Sequence, residues 1–85
     1  MTKTEKNQEV TKQFYALIQE AGYQAHDEGH GYWYVEPKGN VDNRNMFMVT
    51  RKFDVETAFC ENGEVLEFAN QLETRLNEYI RMFNL

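Results

Sequence analysis

Apolar side chains recur at helical spacing near the start of the chain. Between Thr4 and Ala21 they fall three or four positions apart, which places them on one face of a helix. Thr2 together with Glu5, or Thr4 alone, can accept hydrogen bonds from the free amides at its start, and Gly22 stands where a left-handed residue commonly ends a helix. The apolar positions of this helical face are Val10, Phe14, Leu17, Ile18 and Ala21.

The same spacing returns towards the end of the chain, after Asn62-Gly63. That pair by itself fits a tight hairpin turn as well as a helix start with Asn62 as the cap. The residues that follow favour a second helix, because their apolar positions keep helical spacing for about five turns and Glu64 lies where the helix dipole favours an acid. These positions are Val65, Phe68, Ala69, Leu72, Leu76, Tyr79, Ile80 and Phe83.

Between the two helices the apolar residues alternate with period two, and aromatic and β-branched residues become frequent. The pattern predicts strands over Gly31–Glu36, Arg44–Arg51 and Phe53–Cys60, with a turn-rich segment at residues 37–43. Tyr23–His26 is compatible with a further short edge strand. The order of elements is then helix, three strands, helix.

This order predicts a single α+β domain over residues 1–85, in which both helices cover one face of an antiparallel sheet (α-β-β-β-α). Alternation assigns the strand residues to two faces. We expect the bulkier, less polar set to point inward: Trp33, Phe47 and Val49 from the first two strands, and Phe53, Val55, Thr57 and Phe59 from the third.

The order helix, three strands, helix resembles that of the double-stranded RNA-binding domain over nearly the whole chain. The resemblance implies a sheet covered by two helices and an RNA-contacting start of the second helix, which is basic in that family. Here the corresponding place carries Glu61, Glu64 and Glu67. Acids repel phosphates, so the resemblance extends to the topology and not to these residues.

The charge distribution supplies a first candidate surface. The net charge is −5, and residues 53–85 hold seven acids against two bases, whereas the acids and bases of residues 1–52 balance. The acids of the second helix, Glu64, Glu67 and Glu78 among them, are expected to lie opposite its apolar stripe. Such a face is either simply solvated, or it occupies a basic groove of another protein as nucleic acid would.

The outer sheet face is the second candidate surface. Tyr32 and Tyr34 are expected on the face opposite Trp33, and Met46 and Met48 opposite Phe47. Two helices cover one side of a small sheet, so this apolar row is left to water unless a protein partner or a second copy docks on it.

Candidate chemistry is sparse. The segment His26-Asp27-Glu28-Gly29-His30 holds two imidazoles and two carboxylates, but structural zinc takes four ligands, and only Cys60 could join from afar. We therefore predict no metal and no cofactor, and no catalytic motif suggests an enzyme.

The sequence favours a soluble cytoplasmic protein. A single cysteine suits a reducing compartment, no apolar stretch approaches the roughly 20 residues that cross a bilayer, and the N-terminus lacks the features of a signal peptide. We expect a non-catalytic interaction protein, a regulator, inhibitor or complex subunit. The alternative is a small nucleic-acid-binding domain that uses the sheet tyrosines with Arg44, Arg51 and Lys52.

Overall fold

The computed structural model describes residues 1–27 and 29–85. Two helices flank four strands, in the order α-β-β-β-β-α. The elements are α1 (Lys3–Glu20), β1 (Tyr23–Asp27), β2 (Tyr32–Pro37), a 3₁₀ turn (Asn43–Asn45), β3 (Phe47–Thr50), β4 (Val55–Glu56) and α2 (Gly63–Met82). The strands form one antiparallel sheet in the order β1-β2-β3-β4.

The helix ends follow the local signals in the sequence. Thr2 and Glu5 form a capping box, in which each side chain accepts a hydrogen bond from the backbone N–H of the other residue. Gly22 follows α1 with φ +80°, a conformation that glycine adopts without a steric cost. Asn62 caps α2 by accepting hydrogen bonds from the N–H groups of Glu64 and Val65, so the pair Asn62-Gly63 begins a helix and not a hairpin.

Both helices pack on the same face of the sheet, and the predicted α+β fold is confirmed. Trp33, Phe47 and Val49 point inward as expected and are at most 2% exposed. They meet the apolar stripes of the helices in one buried cluster. The optional edge strand of the prediction is β1, which pairs with β2 over its full length.

The predicted strand boundaries need two corrections. The strand predicted over Arg44–Arg51 begins only at Phe47, because Asp42 accepts a hydrogen bond from the N–H of Arg44 and starts the 3₁₀ turn. The strand predicted over Phe53–Cys60 is reduced to β4, since turns form on both sides of it.

The turn before β4 is held by Thr50. Its carbonyl oxygen accepts the N–H of Phe53 at 2.8 Å, and its hydroxyl oxygen accepts the N–H of Asp54 at 3.1 Å. In the turn after β4, the N–H of Cys60 donates to the carbonyl of Thr57 at 3.0 Å. This turn leaves Phe59 72% exposed, so the prediction that Phe59 points inward is wrong.

Candidate interaction site

The outer face of the sheet carries a row of side chains that crosses all four strands. Strand register places His26 beside Tyr34, Tyr34 beside Met48, and Met48 beside Glu56. The inward position of Trp33 forces this arrangement, because successive side chains of a strand point to opposite faces. The row joins a histidine, an apolar centre and a carboxylate on the face opposite α1 and α2.

A groove of about 790 Å³ follows this row. All four outer-face residues predicted from the sequence line it: Tyr32, Tyr34, Met46 and Met48. Each of them is half-buried, so they form the floor of a concave surface and do not stand out into solvent. We call this surface the outer groove.

One wall of the outer groove comes from the segment that follows β4. Ala58 and Phe59 line it, and the N–H of Glu61 donates to the carbonyl of Arg44 at 2.8 Å, which holds the segment against the start of β3. Sequence reasoning missed Phe59 as a surface residue because strand alternation was extended through the turn. The turn signal was weak, since residues 57–60 contain neither glycine nor proline.

Carboxylates dominate the polar rim of the outer groove. Glu36, Glu56 and Glu61 line it, against the guanidinium of Arg44. That guanidinium already contacts the carboxylate of Asp42 at 3.0 Å and that of Glu61 at 3.9 Å. The hydrogen bond from the Arg44 side chain holds the pKa of Asp42 below its usual value. Arg44 therefore offsets part of the charge of Glu61, and the rim keeps a net negative charge from Glu36 and Glu56.

The tyrosines and histidines at the β1 end of the groove contact one another. The hydroxyl groups of Tyr32 and Tyr34 lie 3.3 Å apart, and their rings meet edge-on. His30 stacks on Tyr32 with 6.1 Å between ring centroids. The Nε2 atom of His26 lies 3.3 Å from a carboxylate oxygen of Glu36. These contacts hold the side chains at the polar end of the groove in place.

The two imidazoles of the segment 26–30 therefore serve separate contacts. Glu28, which the sequence placed in this group, lies outside the described residues. Within residues 1–27 and 29–85, no group of three or more histidine, cysteine, aspartate or glutamate side chains could hold a metal ion. Cys60 is buried, as its type suggests, and its Sγ faces the carbonyl of Asn62 at 3.8 Å.

The acidic residues predicted on the second helix form a different surface. Glu64, Glu67 and Glu78 are exposed along one side of α2, and Glu78 lies 3.6 Å from the guanidinium of Arg75. None of the three lines the outer groove, whose carboxylates come from Glu36, Glu56 and Glu61. The structure thus separates the two surfaces that the sequence proposed.

The basic residues of the nucleic-acid alternative do not gather around the tyrosines. Arg51 bonds the carboxylate of Asp27 and lies over the ring of Trp33, 4.0 Å from its centroid, on the inner side of the sheet. Lys52 is next to it in the turn that ends β3. Arg44 alone lines the outer groove, beside Glu61.

Comparison of the chain with protein-family models, with curated proteins and with solved structures found no match. Among the described residues, neither helix combines the length and the apolar character that crossing a bilayer requires.

Proposed function

We propose that this chain is a small acidic, non-catalytic interaction protein of the cytoplasm, acting as a regulator, an inhibitor or a complex subunit, and that it binds another protein through the outer groove. The observation that carries the proposal is the meeting of Tyr34, Met46, Met48 and Phe59 on one accessible concave surface. Aromatic and methionine side chains are enriched at protein interfaces, and methionine adapts its shape to a partner.

The rim of the groove supports a particular kind of partner. Three carboxylates, from Glu36, Glu56 and Glu61, line the groove, and Arg44 offsets only part of their charge because it also contacts Asp42. A partner segment that inserts an apolar side chain and carries lysine or arginine beside it would match both features. Complementary charge would also accelerate the encounter.

The other two hypotheses from the sequence have less support. The acidic face of α2 rests on the exposure of Glu64, Glu67 and Glu78 alone. A nucleic-acid strand lying on Tyr32 and Tyr34 would meet the carboxylates of the groove, which repel phosphates. Both remain predictions to be tested beside the groove.

The test begins with a partner recovered from the native host by affinity purification and identified by mass spectrometry. Binding of the purified partner is then titrated against two variants of this chain. Met46→Asp/Met48→Asp places charge on the groove floor and should weaken binding at least thirtyfold, which corresponds to about 2 kcal/mol at an interface centre. The comparison variant, Glu64→Lys/Glu67→Lys/Glu78→Lys, changes the net charge from −5 to +1 and should slow association, but it should keep the dissociation rate of the wild type.

The same two variants can also contradict the proposal. Loss of binding in the lysine variant alone would move the interface to α2, and unchanged binding by both would overturn the proposal. Circular dichroism and melting temperature confirm that each variant is folded. A nucleic-acid shift assay at several salt concentrations tests the alternative, because phosphate contacts weaken steeply with salt.

A further inference from the structure

Strand β1 forms one edge of the sheet, because β2 is its only strand neighbour within residues 1–27 and 29–85. The hydrogen-bond pattern shows which of its backbone groups face outward. The N–H of Lys38 donates to the carbonyl of Gly22 at 3.1 Å, which makes these two residues a hydrogen-bonded pair in the extension of the ladder. Such pairs alternate along an antiparallel ladder, so Gln24 and His26 are the residues of β1 that bond to β2.

The remaining residues of β1 direct their backbone groups away from the sheet. Tyr23, Ala25 and Asp27 therefore present N–H and C=O groups along the open edge. Exposed edges are commonly protected by charged side chains, proline or a bulge. The strand β1 has one acid, Asp27 at its last position, and Arg51 pairs with it; the register with β2 runs without interruption from Tyr23 to Asp27. At the opposite edge, β4 is only two residues long.

We propose that two copies of this chain pair through their β1 edges, antiparallel about a twofold axis at Ala25. Each outward-facing residue then exchanges both backbone hydrogen bonds with its counterpart: Ala25 with Ala25, and Tyr23 with Asp27 of the second copy. Chain edges that pair in this way form one continuous eight-stranded sheet, with all four helices on one side.

The side chains of β1 fit a second copy of the same strand. In this register Gln24 faces His26 of the second copy and Tyr23 faces Asp27, so no two like charges oppose each other. The small side chain of Ala25 lies at the axis. Because His26 also lines the outer groove, the grooves of both copies would open on the same side of the joined sheet.

The mass of the intact protein in solution tests the pairing. Light scattering during size-exclusion chromatography should give twice the chain mass of 10.1 kDa. Ala25→Pro removes an N–H that faces outward and costs no bond to β2, and proline is tolerated on edge strands, so this variant should be folded and monomeric. Ala25→Ser keeps the N–H and should remain dimeric.

Cysteine cross-linking tests the register, and it does so even if the proline variant fails to fold. In a Cys60→Ser background, Ala25→Cys places two Cα atoms about 5.5 Å apart across the axis, within reach of a disulfide, and should form a covalent dimer on mild oxidation. Gln24→Cys is the matched control, since its copies are diagonal neighbours roughly 7–8 Å apart and should cross-link poorly.

Three results would overturn the inference: a monomeric wild type, a folded Ala25→Pro variant that stays dimeric, or equal cross-linking from positions 24 and 25. The pairing does not depend on the proposed function. Met46→Asp/Met48→Asp should therefore remain dimeric whether or not it binds a partner.

Discussion

The indole N–H of Trp33 donates a hydrogen bond to the hydroxyl oxygen of Tyr15 across 2.9 Å, and this contact ties α1 to the central strand β2. The two rings also meet edge-on, with 6.1 Å between their centroids. Trp33 is only 2% exposed, so its indole N–H depends on Tyr15 as its acceptor within the fold. A buried donor of this kind makes the stability of the fold sensitive to a single oxygen atom.

Tyr15→Phe removes that oxygen and keeps the ring. We expect the free energy of unfolding to fall by about 1–3 kcal/mol, because the indole N–H is left buried without an acceptor. Urea denaturation measures the change. The control is Tyr79→Phe, whose hydroxyl oxygen accepts only a long, exposed bond of 3.4 Å from Arg75 and should cost less than about 0.5 kcal/mol. Equal losses of unfolding free energy in the two variants would show that the hydrogen bond from Trp33 contributes no more to stability than the exposed bond to Tyr79.

The apolar stripe of α2 gives a second prediction. Leu72 and Leu76 are 2% and 0% exposed, so truncating either to alanine should lower the free energy of unfolding by about 2–5 kcal/mol. Glu73→Ala, on the exposed side of the same helix, should change it by no more than about 0.5 kcal/mol. Denaturation midpoints that stay unchanged in both leucine variants would contradict the packing of α2 on the sheet.

Phe53 is buried although its backbone is left-handed, with φ +67°. Glycine adopts this conformation freely, whereas alanine meets a cost of about 1–2 kcal/mol. Both Phe53→Ala and Phe53→Gly lose the ring that stacks on Trp33 at 6.1 Å, and both should be destabilised. We expect the glycine variant to be the more stable of the pair by about 1 kcal/mol, by chemical denaturation. The reverse order would argue against the turn geometry at Thr50–Phe53.

The ion pair between Arg51 and Asp27 should make stability depend on pH in acid. The Arg51 side chain, followed by the N–H of Gly29, bonds the Asp27 carboxylate and lowers its pKa below the unfolded value. A lowered pKa means that the unfolded state binds the proton more readily, so this contribution is complete above roughly pH 4 and is lost as the pH falls through the folded pKa.

The variant Arg51→Met should remove that part of the pH dependence. Melting temperatures recorded from neutral to strongly acidic pH should fall less steeply for this variant than for the wild type. Lys52→Met is the control, because Lys52 makes no ion pair with any residue that the structure describes, and it should leave the shape of the curve unchanged. Parallel curves for wild type and Arg51→Met would rule out the contribution of this pair.

Metal removal gives a further prediction. His26 already contacts Glu36, and His30 stacks on Tyr32, so the imidazoles of this segment serve contacts within the protein. We expect a chelator to leave the melting temperature unchanged, since a structural metal would make the fold depend on it. A large fall with chelator that His26→Ala reproduces would establish a metal site.

Several features were determined by the sequence through local interactions. The capping box of Thr2 and Glu5, the left-handed Gly22 and the cap at Asn62 fixed the helix ends within a residue or two of their predicted positions. The contacts that decide these helix ends lie within a few residues along the chain. Period-two alternation separated Trp33 from Tyr34 and Phe47 from Met48, and the bulkier, less polar set was assigned to the buried face.

Only the tertiary structure decided what lies around β4. The prediction of a strand over Phe53–Cys60 is wrong at both ends. At Phe53 the backbone turns while the ring stacks on Trp33 in the core, and at Phe59 the turn after β4 places the side chain on the surface. The carboxylates of Glu36 and Glu56 reach the outer groove from β2 and β4, which lie on either side of β3 in the sheet. Such outcomes depend on packing between residues far apart in sequence, and local periodicity carries no information about that packing.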